Sequence, residues 1–199
     1  MKHKYSQEFR TLISSGDSLH DLLTNSSFSG TFEAWEQRKA FIANAIDKSG
    51  TFLDIGSGNG FLLRCLQEWA DYDITPYGID INEEYIRKAK ELFPNQADNF
   101  AAVNIREISR IGEYLPDVYD FVYFSADWSQ TEPNETDARL IKSLEQLVAS
   151  GGRLIIGFYG DDVAVNQQNV NALVSAGARL DQTLYNPEGT NLVTVTGVE

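Results

Sequence analysis

From residue 51 onward, short apolar runs alternate with stretches in which apolar residues recur at helical spacing. The run at 51–55 predicts a first strand, and Leu62, Leu63, Leu66 and Trp69 form one stripe of the helix after Gly60. Residues 76–81 predict a second strand, followed by a helix over 83–93 that Pro94 ends. A third strand is expected at about 100–105 and a short helix at about 107–114. Residues 119–124, rich in aromatic and β-branched side chains, predict a fourth strand. The next helix is expected at 135–149, with Ile141, Leu144 and Leu147/Val148 inward and Gly151-Gly152 as its stop signal. A fifth strand at 153–159 and a helix at 163–175 follow. The chain closes with strands at 178–185 and 191–198 around the turn cluster Asn186-Pro187-Glu188-Gly189. Strands alternating with helices imply a parallel sheet covered on both faces.

The first 50 residues carry no strand pattern. Phe9, Leu12 and Ile13, then Leu19, Leu22 and Leu23, suggest short helices, and a Ser/Gly-rich loop at 25–30 precedes a longer helix at 32–46. The whole chain, 1–199, reads as a single domain: a helical cap at 1–50 on an α/β core at 51–199. Segment 25–31 is read as a hinge of a lid; the alternative is a helical layer with no part in the chemistry.

The chemistry begins at the end of the first strand. Phe52-Leu53-Asp54-Ile55-Gly56-Ser57-Gly58-Asn59-Gly60 couples an apolar run to a carboxylate and three alternate glycines. Glycine allows close backbone approach and positive φ. A dinucleotide fingerprint, G-x-G-x-x-G, would need a glycine at 61, where Phe61 stands. A second acid, Asp80, ends the second strand 24 positions after Gly56, and Ile81 follows it. An acid at that tip suits the two hydroxyls of a ribose.

The pattern D-x-G-x-G-x-G followed by the second acid resembles class I S-adenosylmethionine-dependent methyltransferases, over about residues 50–199. The resemblance implies a three-layer αβα sandwich with a seven-stranded, mostly parallel sheet in the order 3-2-1-4-5-7-6, strand 7 antiparallel, under an N-terminal helical lid. It implies S-adenosylmethionine as cofactor and S-adenosylhomocysteine as product. Position by position, Asp54, Gly56, Ser57, Gly58 and Gly60 match the glycine-loop motif, with Asp54 suited to the ammonium end of the cofactor. Asp80 and Ile81 match the ribose and adenine positions. Asn104 and Ile105 match the place that meets the adenine amino group. Phe124 and Ser125 match the floor under the methionine moiety.

The acceptor site is expected beyond strands four and five. Asp127 reads either as a base or orienting carboxylate, or as a solvated loop residue. Trp128 reads as a wall for a planar or cationic substrate, and Tyr159 as a further catalytic candidate or a packing residue. Ser125-Ala126-Asp127-Trp128 lacks the first acid of the metal-dependent catechol-type enzymes, so no metal site is expected. It also lacks the N-P-P-Y signature of nucleic-acid and protein amino-methylating enzymes, and the D-[ST]-x-D-P of aminopropyltransferases. Trp35 and Arg38 are candidates for stacking on a ligand and pairing a carboxylate, with structural roles as the alternative. His3 and His20 read as surface residues.

Composition narrows the partner. Hydrophobic residues make up 42% of 199, so a proper core is available, and no apolar run nears a spanning helix. The net charge of −13 carries no dense basic run, which disfavours nucleic acid and anionic membranes. Cys65 is the lone cysteine, and the N-terminus lacks the apolar core of a signal peptide, so a cytoplasmic enzyme is expected. These readings converge on methyl transfer to a small-molecule acceptor. The alternative from another class is a non-catalytic cofactor-binding sensor or accessory protein on the same fold.

Overall fold

The strand at the centre of the sheet is β1, Gly50–Ile55, and the two acids of the site stand at its tip and at that of its neighbour β2, Ile74–Asp80. The computed structural model describes residues 5–126, 135–160, 162–175 and 177–199. Along the chain, α1 (Gln7–Ser14), α2 (Gly16–Thr24) and α3 (Phe32–Lys39) precede β1; α4 (Phe61–Trp69) and α5 (Glu83–Leu92) flank β2. Then come β3 (Phe100–Ala102), β4 (Tyr119–Ser125), α6 (Glu135–Glu145), β5 (Val148–Phe158), α7 (Val163–Ser175), β6 (Gln182–Tyr185) and β7 (Leu192–Gly197). The sheet order is β3-β2-β1-β4-β5-β7-β6. Strands β1 to β5 pair in parallel, while β7 runs antiparallel to β5 and β6. This is the seven-stranded arrangement that the resemblance implied.

Successive strand residues point to opposite faces. On β1, Phe52 joins an apolar cluster with Phe9, Trp35 and Phe61 beneath α1 to α4. Leu53 and Ile55 join a second cluster on the other face, with Ile141 and Leu144 of α6 and Val170 and Leu173 of α7. Period two therefore puts Asp54 on the face that the N-terminal helices cover. Its register partner on β4 is Tyr123, which belongs to that same face.

Registry also levels the strand tips. Ile55 pairs Ile79 on one side and Phe124 on the other. The sheet order reverses direction between β1 and β4, which is where open α/β sheets leave a ligand crevice.

Several expected boundaries move. The helix expected at 32–46 ends at Lys39 and tightens into a 3₁₀ segment, Ala40–Ala45. Phe41, Ile42, Ala43 and Ala45 are all buried there, so the segment packs on nearly every side and shows no one-sided apolar stripe. The helix expected at 135–149 stops at Glu145 because Leu147 already accepts the Tyr119 amide and Val148 starts β5. Gly151-Gly152 consequently lies inside β5, not at a helix end. Gly151 has φ +73°, and a Cβ on Gly152 would stand 2.5 Å from the Asp120 carbonyl, so the pair makes an irregularity in the β4–β5 ladder. Strand β3 stops at Ala102, since Asn104 turns to cap the 3₁₀ segment Ile105–Glu113 through the Arg106 amide.

Candidate functional site

The glycine loop is held open by its own backbone. Gly56, Gly58 and Gly60 all have positive φ, at 77°, 54° and 77°. The amides of Gly56 and Ser57 both donate to the Ile79 carbonyl, at 2.8 and 2.9 Å, which hooks the loop onto the tip of β2. The Gly58 amide donates to Asp80 Oδ2 at 2.9 Å, and the Asn82 amide to Asp80 Oδ1 at 2.9 Å. Asp80 thus shapes the loop with the same carboxylate that faces the crevice. Each carboxylate oxygen retains further acceptor capacity for a ligand hydroxyl.

The three glycines serve three different neighbours. A Cβ on Gly56 would meet nothing within 4 Å, so this position opens onto the crevice. A Cβ on Gly60 would press on Phe93 at 3.1 Å, which is helix packing. On Gly58 it would stand 2.8 Å from the Asn25 carbonyl. The close approach at Gly58 is therefore made by the N-terminal segment. Asn59, buried beside it, donates to the Leu22 carbonyl at 3.0 Å and accepts from Ser26 Oγ at 3.0 Å and the Phe61 amide at 3.1 Å.

Two cavities meet at Ser125, the last residue of β4. The smaller, about 260 Å³, runs over the tips of β1, β2 and β4 and includes Gly56, Asp80, Ile81, Asn104, Ile105, Phe124 and Ser125. Ile81 is 69% exposed there, an apolar side chain open to solvent. Asn104 Oδ1 accepts from Arg106, leaving one lone pair on that oxygen for a further donor. Of the expected cofactor residues, Asp54, Ser57, Gly58 and Gly60 stand outside this lining.

The larger cavity, about 560 Å³, lies under the segment Ser26–Ser29 and is walled by Trp35, Arg38, Lys39 and Tyr159. A third, about 400 Å³, adjoins it through Phe28 and Arg38 and reaches Asn191 and Thr190 at the start of β7. Trp35 is 97% inaccessible in effect, with relative exposure of 3%, and stacks on Phe61 at 5.9 Å, so it is both core and wall. Arg38 donates to the Tyr159 carbonyl.

Beneath this chamber the charge pattern is unusual for so acidic a chain. Lys39 Nζ lies 3.0 Å from the Tyr159 ring centroid and 5.7 Å from that of Trp35, a cation enclosed by aromatic faces. Burial, and secondarily Arg38, lowers its pKa to about 7, against the opposing pull of Asp54. Burial likewise raises Asp54 to about 7; the Lys39 charge counters this and Asp80 adds to it. Tyr123 Oη donates to Tyr159 Oη at 2.9 Å, and desolvation holds both phenols above their ordinary value. Lys39 was not among the residues singled out by sequence. The available signal was its place one helical turn after Trp35, on the face that Trp35 buries.

Asp127 and Trp128 lie outside the described residues; Ala126, just before them, lines the larger cavity. His20 is exposed on α2, and His3 lies outside the described residues. Among the described residues, no group of three or more His, Cys, Asp or Glu side chains could hold a metal ion. The Cys65 thiol is buried, which pushes its pKa well up.

Comparison with known proteins agrees with this geometry. Residues 46–191 match the family described as a methyltransferase domain. No curated protein matches the chain. Among solved structures, the N-methyltransferase NodS of Bradyrhizobium japonicum, in complex with S-adenosyl-L-homocysteine, superposes with TM-score 0.59 at 14% identity, covering 95% of each chain. The ribosomal protein L11 methylase of Lactobacillus delbrueckii subsp. bulgaricus gives 0.55 at 16% identity, over 86% of this chain and 82% of that one. The fibrillarin pre-rRNA processing protein of Methanococcus jannaschii gives 0.53 at 14% identity, over 74% of this chain and 65% of that one. At such identities the structural matches speak to the fold, and the family match speaks to descent. With its sheet order and the match over 46–191, the chain belongs to the methyltransferase-domain family, as a class I S-adenosylmethionine-dependent methyltransferase.

Proposed function

We propose that this enzyme methylates a small-molecule acceptor, using the two cavities that meet at Ser125 for the two halves of the reaction. That junction is the observation that carries the reading. It leaves a cofactor ledge over the strand tips on one side and an aromatic chamber on the other. The residues fit S-adenosylmethionine: an open glycine position at Gly56, an acid at the ribose position, an apolar wall at Ile81, and opposite charges at Asp54 and Lys39 for an amino-acid zwitterion.

When bound, the cofactor supplies an electrophilic methyl group on a sulfonium. The protein's part is placement. Asp80 accepts the ribose hydroxyls while fixing Gly58; Ile81 and Ile105 flank the adenine, and Asn104 Oδ1 accepts from its amino group. Phe124 and Ser125 form the floor beneath the sulfur. Asp54 would hold the ammonium and Lys39 the carboxylate, two groups whose charges already act on each other. Ser57, Gly58 and Gly60 set the loop's path. Positioning of this kind is worth roughly 7–11 kcal/mol in well-oriented reactions.

On the acceptor side, Tyr159 is a wall and a hydrogen-bonding group. Its raised pKa keeps the phenol protonated at neutral pH, which suits a donor and not a general base. Asp127, following Ala126, is assigned to the end of the acceptor that carries the reacting, proton-bearing atom, and Trp128 to walling the acceptor. A chamber of about 560 Å³ is of the size that holds small ligands. The net charge of −13 argues against a polyanionic acceptor, although one structural match is a pre-rRNA processing protein. Among the described residues, no helix is long and apolar enough to cross a membrane; with the lone cysteine, this supports a cytoplasmic setting.

Calorimetry with S-adenosylmethionine, followed by a radiolabelled-methyl assay on small-molecule cell extract and on bulk RNA, tests the proposal. Label in small molecules supports it. Binding without label in either would turn the assignment toward a sensor, and label confined to RNA would overturn the acceptor class.

A further inference from the structure

The chain holds 29 acidic and 16 basic residues, yet the described residues that line the larger cavity include no acid and two adjacent cations, Arg38 and Lys39. The adjoining cavity shares Arg38 and adds a single acid, Glu188, beside Gln37, Thr190 and Asn191. Lys39 is turned toward Asp54 and roofed by Tyr159, which assigns it to the cofactor's end of the chamber. Arg38 occupies the boundary between the two cavities, and its bond to the Tyr159 carbonyl fixes the guanidinium there. From these observations we propose that the methyl acceptor is a small organic anion, whose carboxylate or comparable acidic oxygens are held by Arg38 while its apolar body lies between Phe28 and Tyr159. This rests on the transferase reading given above.

The electrostatic reasoning has three parts. A guanidinium presents a fork of donors matched to paired acidic oxygens. A cationic acceptor would stand beside Arg38 and beside the place assigned to the cofactor's sulfonium, where like charges repel. An anion is stabilised by both. Outside the chamber the field of a −13 protein opposes polyanions, so one small acid is admitted where an RNA strand is not. Glu188 lines the adjoining cavity, and its charge disfavours a second acidic group there.

The test uses the full chain and methyl-labelled S-adenosylmethionine with a small-molecule extract divided by ion exchange into anionic, neutral and cationic fractions. The expected result is labelled product from the anionic fraction. With that fraction as acceptor, Arg38→Gln should raise KM about tenfold or more, as loss of a charge-assisted contact does, with a smaller change in kcat. Arg38→Lys, which keeps the charge, should recover part of the KM, and the Arg38→Gln effect on KM should weaken as salt is raised, a dependence that a purely structural role at the Tyr159 carbonyl would not give. Calorimetry on Arg38→Gln checks that the cofactor still binds. Label only from the neutral or cationic fraction overturns the anionic acceptor and leaves methyl transfer standing. An unchanged KM in Arg38→Gln removes Arg38 from acceptor recognition. Label from no fraction overturns the transferase reading and this inference with it.

Discussion

Asn59 Nδ2 donates to the Leu22 carbonyl at 3.0 Å, so the glycine loop and the N-terminal helical layer share a partly buried hydrogen bond. Ser26 Oγ adds a second link to the same side chain, and the Asn25 carbonyl closes over Gly58. The layer is anchored at its other end too, where the Ser6 amide and hydroxyl both donate to Glu68 on α4, at 2.8 and 2.6 Å. The N-terminal helices are thus fastened to the glycine loop at one end and to α4 at the other.

Replacing Asn59 with Ala should therefore uncouple the two layers. The half-buried Leu22 carbonyl and Ser26 hydroxyl keep only their bond to each other, and the Phe61 amide loses its side-chain acceptor, a cost of about 1 kcal/mol. The expected outcome is a lower Tm together with faster hydrogen exchange across residues 22–28 and weaker cofactor binding. Unchanged exchange in that segment would show that Asn59 does not hold it.

Gly56 and Gly58 separate strain from contact. Ala at either position meets a left-handed backbone that costs roughly 1–2 kcal/mol. At Gly58 the new Cβ also collides with the Asn25 carbonyl, whereas at Gly56 it enters open crevice. Gly58→Ala should loosen the N-terminal segment in hydrogen exchange and reduce cofactor affinity. Gly56→Ala should leave that segment protected while still reducing affinity. Identical exchange patterns in the two variants would count against the distinction.

Asp80→Ala removes the acceptor of the Gly58 and Asn82 amides as well as the proposed ribose contact. S-adenosylmethionine and S-adenosylhomocysteine share that ribose, so both should weaken by about 2–3 kcal/mol, with their affinity ratio preserved. Calorimetry with each ligand reads this directly. A variant that binds either ligand as tightly as the wild type takes Asp80 out of the site.

The Asp54–Lys39 pair predicts opposite proton movements. Asp54, raised to about 7, is partly protonated at neutral pH; a ligand ammonium favours its ionised form, so binding releases a proton. Lys39, lowered to about 7, is partly deprotonated; a ligand carboxylate favours its charged form, so binding takes a proton up. In the wild type the two offset. Lys39→Met should therefore release protons on binding S-adenosylmethionine at pH 7, and Asp54→Asn should take them up. Calorimetry in phosphate and in Tris, whose ionisation enthalpies differ, gives the sign. Buffer-independent enthalpies in both variants would contradict the placement of the pair.

The order of elements and the strand-tip placement of the glycine loop and the two acids were legible in the chain itself. Apolar runs of period two, helical stripes between them, and an acid or glycine turn at each strand end are local signals, because each depends on residues only a few positions apart. Asp54, Gly56, Asp80 and Ile81 could be placed at strand tips on that basis alone. Element ends were less legible: Leu147 and Val148 pack equally well on a helix or a strand, and only the pairing of β5 with β4 decides between them. The tertiary structure alone decided what lies above the ledge. That the Asn25 carbonyl meets Gly58, that Lys39 reaches Asp54 across 15 positions of sequence, and that Arg38 lines two cavities at once all depend on how α3 seats against the sheet. Such contacts join segments whose spacing carries no periodic signal, and burial, which gives Asp54 and Lys39 their shifted pKa values, exists only once the layers are packed.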